Sequence, residues 1–304
     1  MTPAAVVSVG VYDGVHRGHA AVLGRAAVLA RRSGARTVVF TFDAHPEGVL
    51  SGGDAPPELT PVAEREPLLC EAGADEVQVV SFSQVAGMTP QAFLRVHVFP
   101  RYRMGNRVVG YDFALGKDRL GTVEVLDRLG RGLGFAVEAV PSLDVGGAPV
   151  SSSRVREALA GGRVREAAAM LGRPYLIAGR VVPGEGRGRS LGFPTANLDL
   201  PPGKMRPARG VYAVRVFGPG VTGAAGVVNV GCRPTFGGGR ETVEVHVLDV
   251  SGDWVGKELR MDLVERIRPE RRFRDAAELA ARIERDASRA RSLLSVPAPA
   301  DNSS

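Results

Sequence analysis

His16 and His19 bracket Arg17-Gly18 in VVSVGVYDGVHRGH, residues 6–19, a stretch that also holds Gly10, Asp13 and Gly14. A β-branched run closed by glycine, a glycine-rich loop and an apolar period (Val22, Leu23, Ala26, Leu29, Ala30) stopped by Gly34 read as strand, loop and helix. In that geometry the free N–H groups and the dipole at the helix start favour a phosphate. His16 and His19, three apart in the first turn, would share one face and aim ring N–H donors at the same phosphates, while Gly10 and Gly14 let a nucleotide approach the backbone around Asp13. Two histidines at a turn can also be surface residues or metal ligands. Without a further Cys or His cluster the spacing is a poor zinc signature, so the phosphate reading is preferred.

Three further clusters have residue types suited to the same chemistry. Ser151, Ser152 and Ser153 precede a helix beginning near Arg154, with Arg156 in its first turn. They read either as helix caps or as a second phosphate clamp, holding charge on a displaced pyrophosphate. GRGRSLGFPTANL, residues 186–198, offers Gly188 and Arg189 around a polyphosphate, and Thr195 and Asn197 as two oxygen ligands on one side of an extended segment. Such ligands suit Mg²⁺ bridging nucleotide phosphates; a Pro/Gly turn with local hydrogen bonds is the competing reading. Glu244, in TVEVHVLD, alternates with Val243 and Val245 and so points away from them. In a cleft it would take the proton of an attacking hydroxyl; in solvent it is a strand's polar face. The sequence leaves both open.

The elements that must position these residues fall into two patterns. Thr37–Phe42, Val77–Phe82, Arg107–Phe113 and Phe135–Val140 read as strands following Val6–Val9, with helices over Val62–Ala72 and Pro90–Val98. That alternation implies an α/β domain with a parallel sheet, whose ligands bind beyond the strands' carboxyl ends. His16, His19, His45 and Asp112 all lie in loops after strands. A short helix, Arg163–Leu171, stops before Pro174. Tyr175–Val182, Gly210–Phe217, Gly223–Gly231, Thr242–Asp249 and Glu258–Arg268 then alternate without helices between them. They predict an all-β sandwich or barrel and a boundary near residue 172, giving domains 1–172 and 173–295. Asp275–Leu294 reads as an amphipathic terminal helix, and 296–304 as a disordered Pro/Ser-rich tail.

Composition narrows the classes. The 304 residues suffice for two cored domains, and 44% hydrophobic with 24% charged residues is ordinary for a globular chain. The net charge of +6 is spread among 33 acids, with no arginine stripe interleaved with aromatics. This disfavours nucleic acid and suits polyphosphate substrates. No run approaches about 18 apolar residues and no signal architecture opens the chain, so no membrane association is expected. Two cysteines, Cys70 and Cys232, give no disulfide framework; both are expected to be packing residues in a cytoplasmic protein. Oligomeric state is not legible.

HRGH resembles the HxGH signature of the nucleotidylyltransferase superfamily. PTAN, NVGCRPTF (Asn229–Phe236), TVEVHVLD and RPERRF (Arg268–Phe273) resemble riboflavin kinase signatures. Together with GVYDGVHRGH, GYDFALGKDRLG and SSSRVR, the chain resembles the bacterial bifunctional riboflavin kinase/FAD synthetase family over nearly its whole length. The resemblance implies a Rossmann-like N-terminal domain, and a small antiparallel β-barrel with a terminal helix that phosphorylates riboflavin from ATP. It implies Thr195 and Asn197 on Mg²⁺ and ATP phosphates, Glu244 as general base, and Arg268 toward flavin and phosphates. The first domain would adenylylate FMN to FAD, with His16 and His19 on the ATP phosphates and Ser152, Ser153 and Arg156 closing over them. Asp112 would join the nucleotide contacts, and Phe42 and His45 would face the flavin. Ala44, Asp112 and Leu115 stand where the family commonly has proline, asparagine and an aromatic; Ser153 for threonine and Tyr12 for phenylalanine are milder changes. These positions motivate a second reading, a riboflavin kinase whose first domain serves another phosphorylated acceptor. The basic charge motivates a third, a nucleotide-binding regulator without turnover. Val182–Arg189 and Pro234–Arg240 are candidate flaps.

Overall fold

The β-branched runs of the first half pair side by side, and the runs at Ala4–Val9 and Arg36–Phe42 are buried almost throughout, on both faces, so helices must cover them. In the computed structural model, which describes residues 2–53, 55–110, 116, 120–184, 188, 192–233 and 240–295, they form β1 (Ala4–Val9), β2 (Arg36–Phe42), β3 (Glu76–Val80), β4 (Arg103–Gly110) and β5 (Ala136–Val140). All pairings are parallel, in the order β3-β2-β1-β4-β5. After β3 the chain crosses to the other side of β1, so the crevice beyond the carboxyl ends of β1 and β4 is the switch point of the sheet. Val7, Val9, Phe40, Phe93 and Leu94 make the core on one side. Val6 and Val108 pack on the other side with Val22, Ala26 and Ala30 of α1 (Arg17–Ser33). Gly34 ends α1 in the left-handed conformation at φ 62°.

The smaller elements are α2 (Pro46–Ser51), α3 (Val62–Glu71), α4 (Phe82–Val85), α5 (Pro90–Phe93) and α6 (Val123–Leu133), and the two-residue strands β6 (Asp144–Val145) and β7 (Ala148–Pro149). Three sequence expectations are corrected here. The third strand ends at Val80, because the Asp43 carboxylate takes the Phe82 N–H and starts α4 instead. The helix expected over Pro90–Val98 widens after Phe93 into a π turn, Leu94–Val98. Cys70 is exposed on α3, whose buried side carries Leu69 and Arg65. Asp112 and Leu115 lie outside the described residues.

The second half closes on itself. β8 (Tyr175–Val182), β9 (Ala196–Asp199), β10 (Gly210–Gly218), β11 (Val221–Arg233), β12 (Arg240–Val247) and β13 (Glu258–Pro269) form an antiparallel barrel, ordered β10-β11-β12-β9-β8-β13. Closure leaves no unpaired edge and resolves the sandwich-or-barrel alternative. Along β12, Val243, Val245 and Val247 are buried while Thr242, Glu244 and His246 are half-exposed. The C-terminal helix (Ala276–Leu294) starts at an Asp275 cap and seats Ala287, Ala290 and Leu294 on Val211, Ala213, Val227 and Leu248.

Two compact units result, one comprising 1–153 with 203–205, the other 154–202 with 206–304. The second unit includes α8 (Val164–Leu171), which packs on β13 and β8. Among the described residues no helix is long and apolar enough to cross a membrane. Residues 296–304 lie outside the described residues.

Candidate active sites

In the first unit the loop after β1 is strained. Tyr12, Gly14 and Val15 have φ of 52°, 86° and 40°. Glycine takes this conformation freely; for Tyr12 and the β-branched Val15 it costs about 1–3 kcal/mol each. The loop folds Tyr12 back over Gly10, where an added Cβ would stand 2.9 Å from the ring. The Ser8 hydroxyl donates to Val108 O at 2.6 Å, so the Tyr12 hydroxyl, 2.6 Å away, donates to Ser8 Oγ. Burial pushes Tyr12 up to about 12, which keeps that proton in place.

His16 caps α1: its Nδ1 accepts the His19 N–H at 3.3 Å, placing the proton of the neutral ring on Nε2. The two imidazoles stack with centroids 3.6 Å apart and planes 15° apart, on one face as the spacing predicts. Gly18 makes room for this stack, since a Cβ there would lie 3.1 Å from the His16 ring. The Asp13 carboxylate is 2% exposed and accepts from Leu59 N, Thr60 N and Thr60 Oγ1 at 3.0, 2.8 and 3.2 Å. Ser152 Oγ donates to Asp13 O at 2.8 Å, which brings the start of α7 (Ser152–Ala160) to the loop. Ser153 is exposed and Arg156 half-buried on α7. At the end of β2, Phe42 is buried edge-on to Phe82, with centroids 5.2 Å apart. His45 caps α2, accepting the Glu47 N–H at 3.3 Å.

In the barrel, strand register does what linear spacing does not. Asn197 of β9 lies opposite Glu244 of β12, Glu244 opposite Asn229 of β11, Asn229 opposite Val211 of β10, and Val211 opposite Arg268 of β13. One row across five strands carries four polar side chains, and all five residues line a cavity of about 290 Å³. Phe273, Leu279 and Ile283 form part of its apolar wall. Glu244 thus points to the outer face of the barrel into a cleft, which decides between the two orientations left open by the sequence. A second cavity, about 580 Å³, has Val182, Gly184, Asp253 and Trp254 among its walls. Thr195 and Asn197 line both cavities. Gly184 and Gly188 permit close approach, because a Cβ would collide with the Asn197 amide at the first and Phe193 O at the second.

Arg268 is fixed from three directions. Its Nε donates to Asp286 Oδ2 at 2.8 Å, its Nη1 donates to Pro269 O at 3.1 Å, and the guanidinium lies 5.5 Å from the Phe273 centroid. Asp286, on the C-terminal helix, also pairs with Arg282 at 3.0 Å. The His246 Nδ1–H donates to Pro194 O at 2.7 Å, tying β12 to the PTAN segment. Sequence reasoning missed Asn229, His246 and Asp286 as site residues. The available signal for Asn229 was its alternation with the buried Val228 and Val230. Arg189 and residues 234–239 lie outside the described residues.

Comparison with known proteins accounts for both halves. The FAD synthetase family model matches residues 1–154 and the riboflavin kinase family model residues 171–294. A bifunctional riboflavin kinase/FMN adenylyltransferase of Escherichia coli K12 is 38% identical over 97% of this chain and 94% of its own. The protein of that name from Bacillus subtilis is 36% identical over 92% and 90%. A crystal structure described as a macrolide-efflux protein from Streptococcus pneumoniae superposes with a TM-score of 0.86 at 32% identity, covering 96% of this chain and 95% of that one. With both domain families matched in order and relatives aligned nearly end to end, the chain belongs to the bifunctional riboflavin kinase/FMN adenylyltransferase family.

Proposed function

We propose that the protein phosphorylates riboflavin with ATP to give FMN in its barrel, and adenylylates FMN with a second ATP to give FAD and pyrophosphate in its first domain. The observation that carries this function is the barrel row, which sets Glu244 between Asn197 and Asn229 at the wall of a cavity with an apolar side. The ring system of a flavin fits that apolar side beneath Phe273, Leu279 and Ile283. ATP occupies the neighbouring cavity, and the two substrates meet at Thr195 and Asn197. There Glu244 takes the proton of the terminal ribityl hydroxyl as its oxygen attacks the γ-phosphorus, and ADP leaves. Arg268, held by Asp286, orients flavin and phosphates.

The donors at this junction are the Thr195 hydroxyl, the Asn197 amide oxygen and the nearby Glu244 carboxylate, all hard oxygens that fit Mg²⁺. Thr195 and Asn197 would hold the ion, which supplies charge neutralisation on the ATP phosphates when bound. Gly188 and Arg189 line the polyphosphate.

In the first domain the FMN phosphate is already a nucleophile, so alignment and charge neutralisation suffice. Its oxygen attacks the α-phosphorus of ATP, the bond to the β-phosphate breaks, and pyrophosphate leaves. His16, His19 and the N–H groups at the start of α1 face the phosphates; Gly10 and Gly14 admit them, with Asp13 and Asp112 beside the nucleotide. Ser152 and Ser153 close over the leaving group, and Phe42 and His45 bound the flavin side. The working division is 1–172 and 173–295. Substrates are small molecules, without nucleic acid or membrane, in the cytoplasm.

Purified protein with riboflavin, excess ATP and Mg²⁺ should show FMN rising and then giving way to FAD. FMN accumulating without FAD, including when FMN is supplied, would favour another acceptor for the first domain.

A further inference from the structure

We infer that Thr60 and Arg65 are positioning residues for adenylyl transfer, holding the strained loop Tyr12–Val15 in the shape that presents His16 and the start of α1. The inference rests on the adenylyltransferase assignment of the first domain. Neither residue lies in a motif singled out by the sequence, and both sit more than forty positions beyond the loop.

A non-glycine residue at positive φ persists only where its surroundings over-determine it. Here the surroundings are one connected buried network. The Thr60 hydroxyl accepts the Gly14 N–H at 2.8 Å and donates to Asp13 Oδ1 at 3.2 Å, so it grips the loop at two successive residues. Thr60 O in turn accepts from Arg65 Nε at 3.1 Å and Nη2 at 3.0 Å. Arg65 Nη1 donates to Phe42 O at 2.9 Å and Thr41 Oγ1 at 3.2 Å, and the Thr41 hydroxyl donates to Val11 O at 3.0 Å. One guanidinium thereby ties the loop after β1, the end of β2 and the start of α3 together. The network encloses the segment from Val11 to Gly14 on both sides.

Arg65 is 2% exposed. Burial pulls its guanidinium below the ordinary range, and the charges of Asp13 and Glu58 pull it back up. A leucine on that face of α3 would build the same core without desolvating a charge. What the arginine adds is a planar fork that satisfies carbonyls on two different elements at fixed angles. Those carbonyls lie beside the loop that carries the histidines, which points to placement of the phosphate site rather than bulk stability.

The test uses the full chain, whose kinase activity reports an intact barrel. Thr60→Val keeps volume and removes the hydroxyl; Thr60→Ser restores it. Arg65→Met and Arg65→Lys form a second pair. FMN formation from riboflavin, FAD formation from supplied FMN, and amide exchange over residues 12–20 are measured on each. Thr60→Val should lower kcat for FAD formation about ten- to a hundredfold and speed exchange within 12–20, with the kinase rate unchanged and Thr60→Ser near wild type. Arg65→Lys should recover more of that kcat than Arg65→Met. Wild-type FAD kinetics in Thr60→Val overturn the inference, as does loss of protection throughout β1–β5, which would make the network a folding element. If wild-type protein makes FMN but no FAD, the adenylyltransferase assignment fails instead, while exchange over 12–20 still tests the network.

Discussion

In the proposed kinase reaction Glu244 is the base. Its carboxylate lies between Asn197 and Asn229 in the register row, so replacing one oxygen with an amide keeps the shape and removes the base. Glu244→Gln should slow FMN formation by about 10²–10⁴-fold, the usual worth of a positioned general base, and leave adenylylation of supplied FMN at the wild-type rate. Gly18→Ala makes the complementary prediction in the first domain. A methyl 3.1 Å from the His16 ring forces the stacked imidazoles to shift, so FAD formation should fall while FMN formation is spared. At this scale the sequence was informative wherever chemistry is local. Histidines three apart at a helix start, and Thr195 and Asn197 two apart in an extended segment, share a face for reasons of backbone period alone. Asp13 marks the limit. Its carboxylate is spent on Leu59 and Thr60, 46 and 47 positions away, and no local pattern names those partners.

The elements were legible where hydrophobic period is long and uninterrupted, as in β1, β2, α1 and the C-terminal helix. β9 was not: Ala196–Asp199 is four residues long and follows Pro194, so it carries too little alternation to stand out from a turn. Its absence from the sequence reading hides the row, because Asn197 meets Glu244 only through β9–β12 pairing. The C-terminal helix was foreseen as amphipathic, but its polar contribution was not. Asp286 is 3% exposed and receives Arg268 from β13, so the helix both covers the cavity and aims an arginine along its wall. Removing one partner of a buried ion pair costs about 3–5 kcal/mol. Asp286→Ala should lower barrel stability by about that much, read from the denaturant midpoint. Asp286→Asn keeps an oxygen for Arg268 Nε and should fold, yet raise the riboflavin KM about tenfold through a weakened charge-assisted hydrogen bond. An unchanged KM in the folded Asn variant would show that Arg268 needs no help from the helix.

On the scale of the whole chain, two compact units match two families, each named for one transfer. The parallel sheet offers a helix start at its switch point, suited to an anion that is already a nucleophile. The barrel offers a carboxylate beside an apolar cavity, suited to an uncharged alcohol that must lose a proton. The product of the second arrangement, FMN, has gained a phosphate dianion and is the substrate of the first. If each site works from its own unit, activity must be separable between molecules. Glu244→Gln and His19→Ala chains, each converting riboflavin to FAD far more slowly than wild type when alone, should do so readily when mixed. FAD should appear after a lag that shortens as the Glu244→Gln chain is added, because FMN must first leave one molecule and bind the other. A mixture that accumulates FMN without FAD, while the Glu244→Gln chain still adenylylates supplied FMN, would be inconsistent with free exchange at working concentrations. No FMN in solution from the His19→Ala chain would place both transfers under one control.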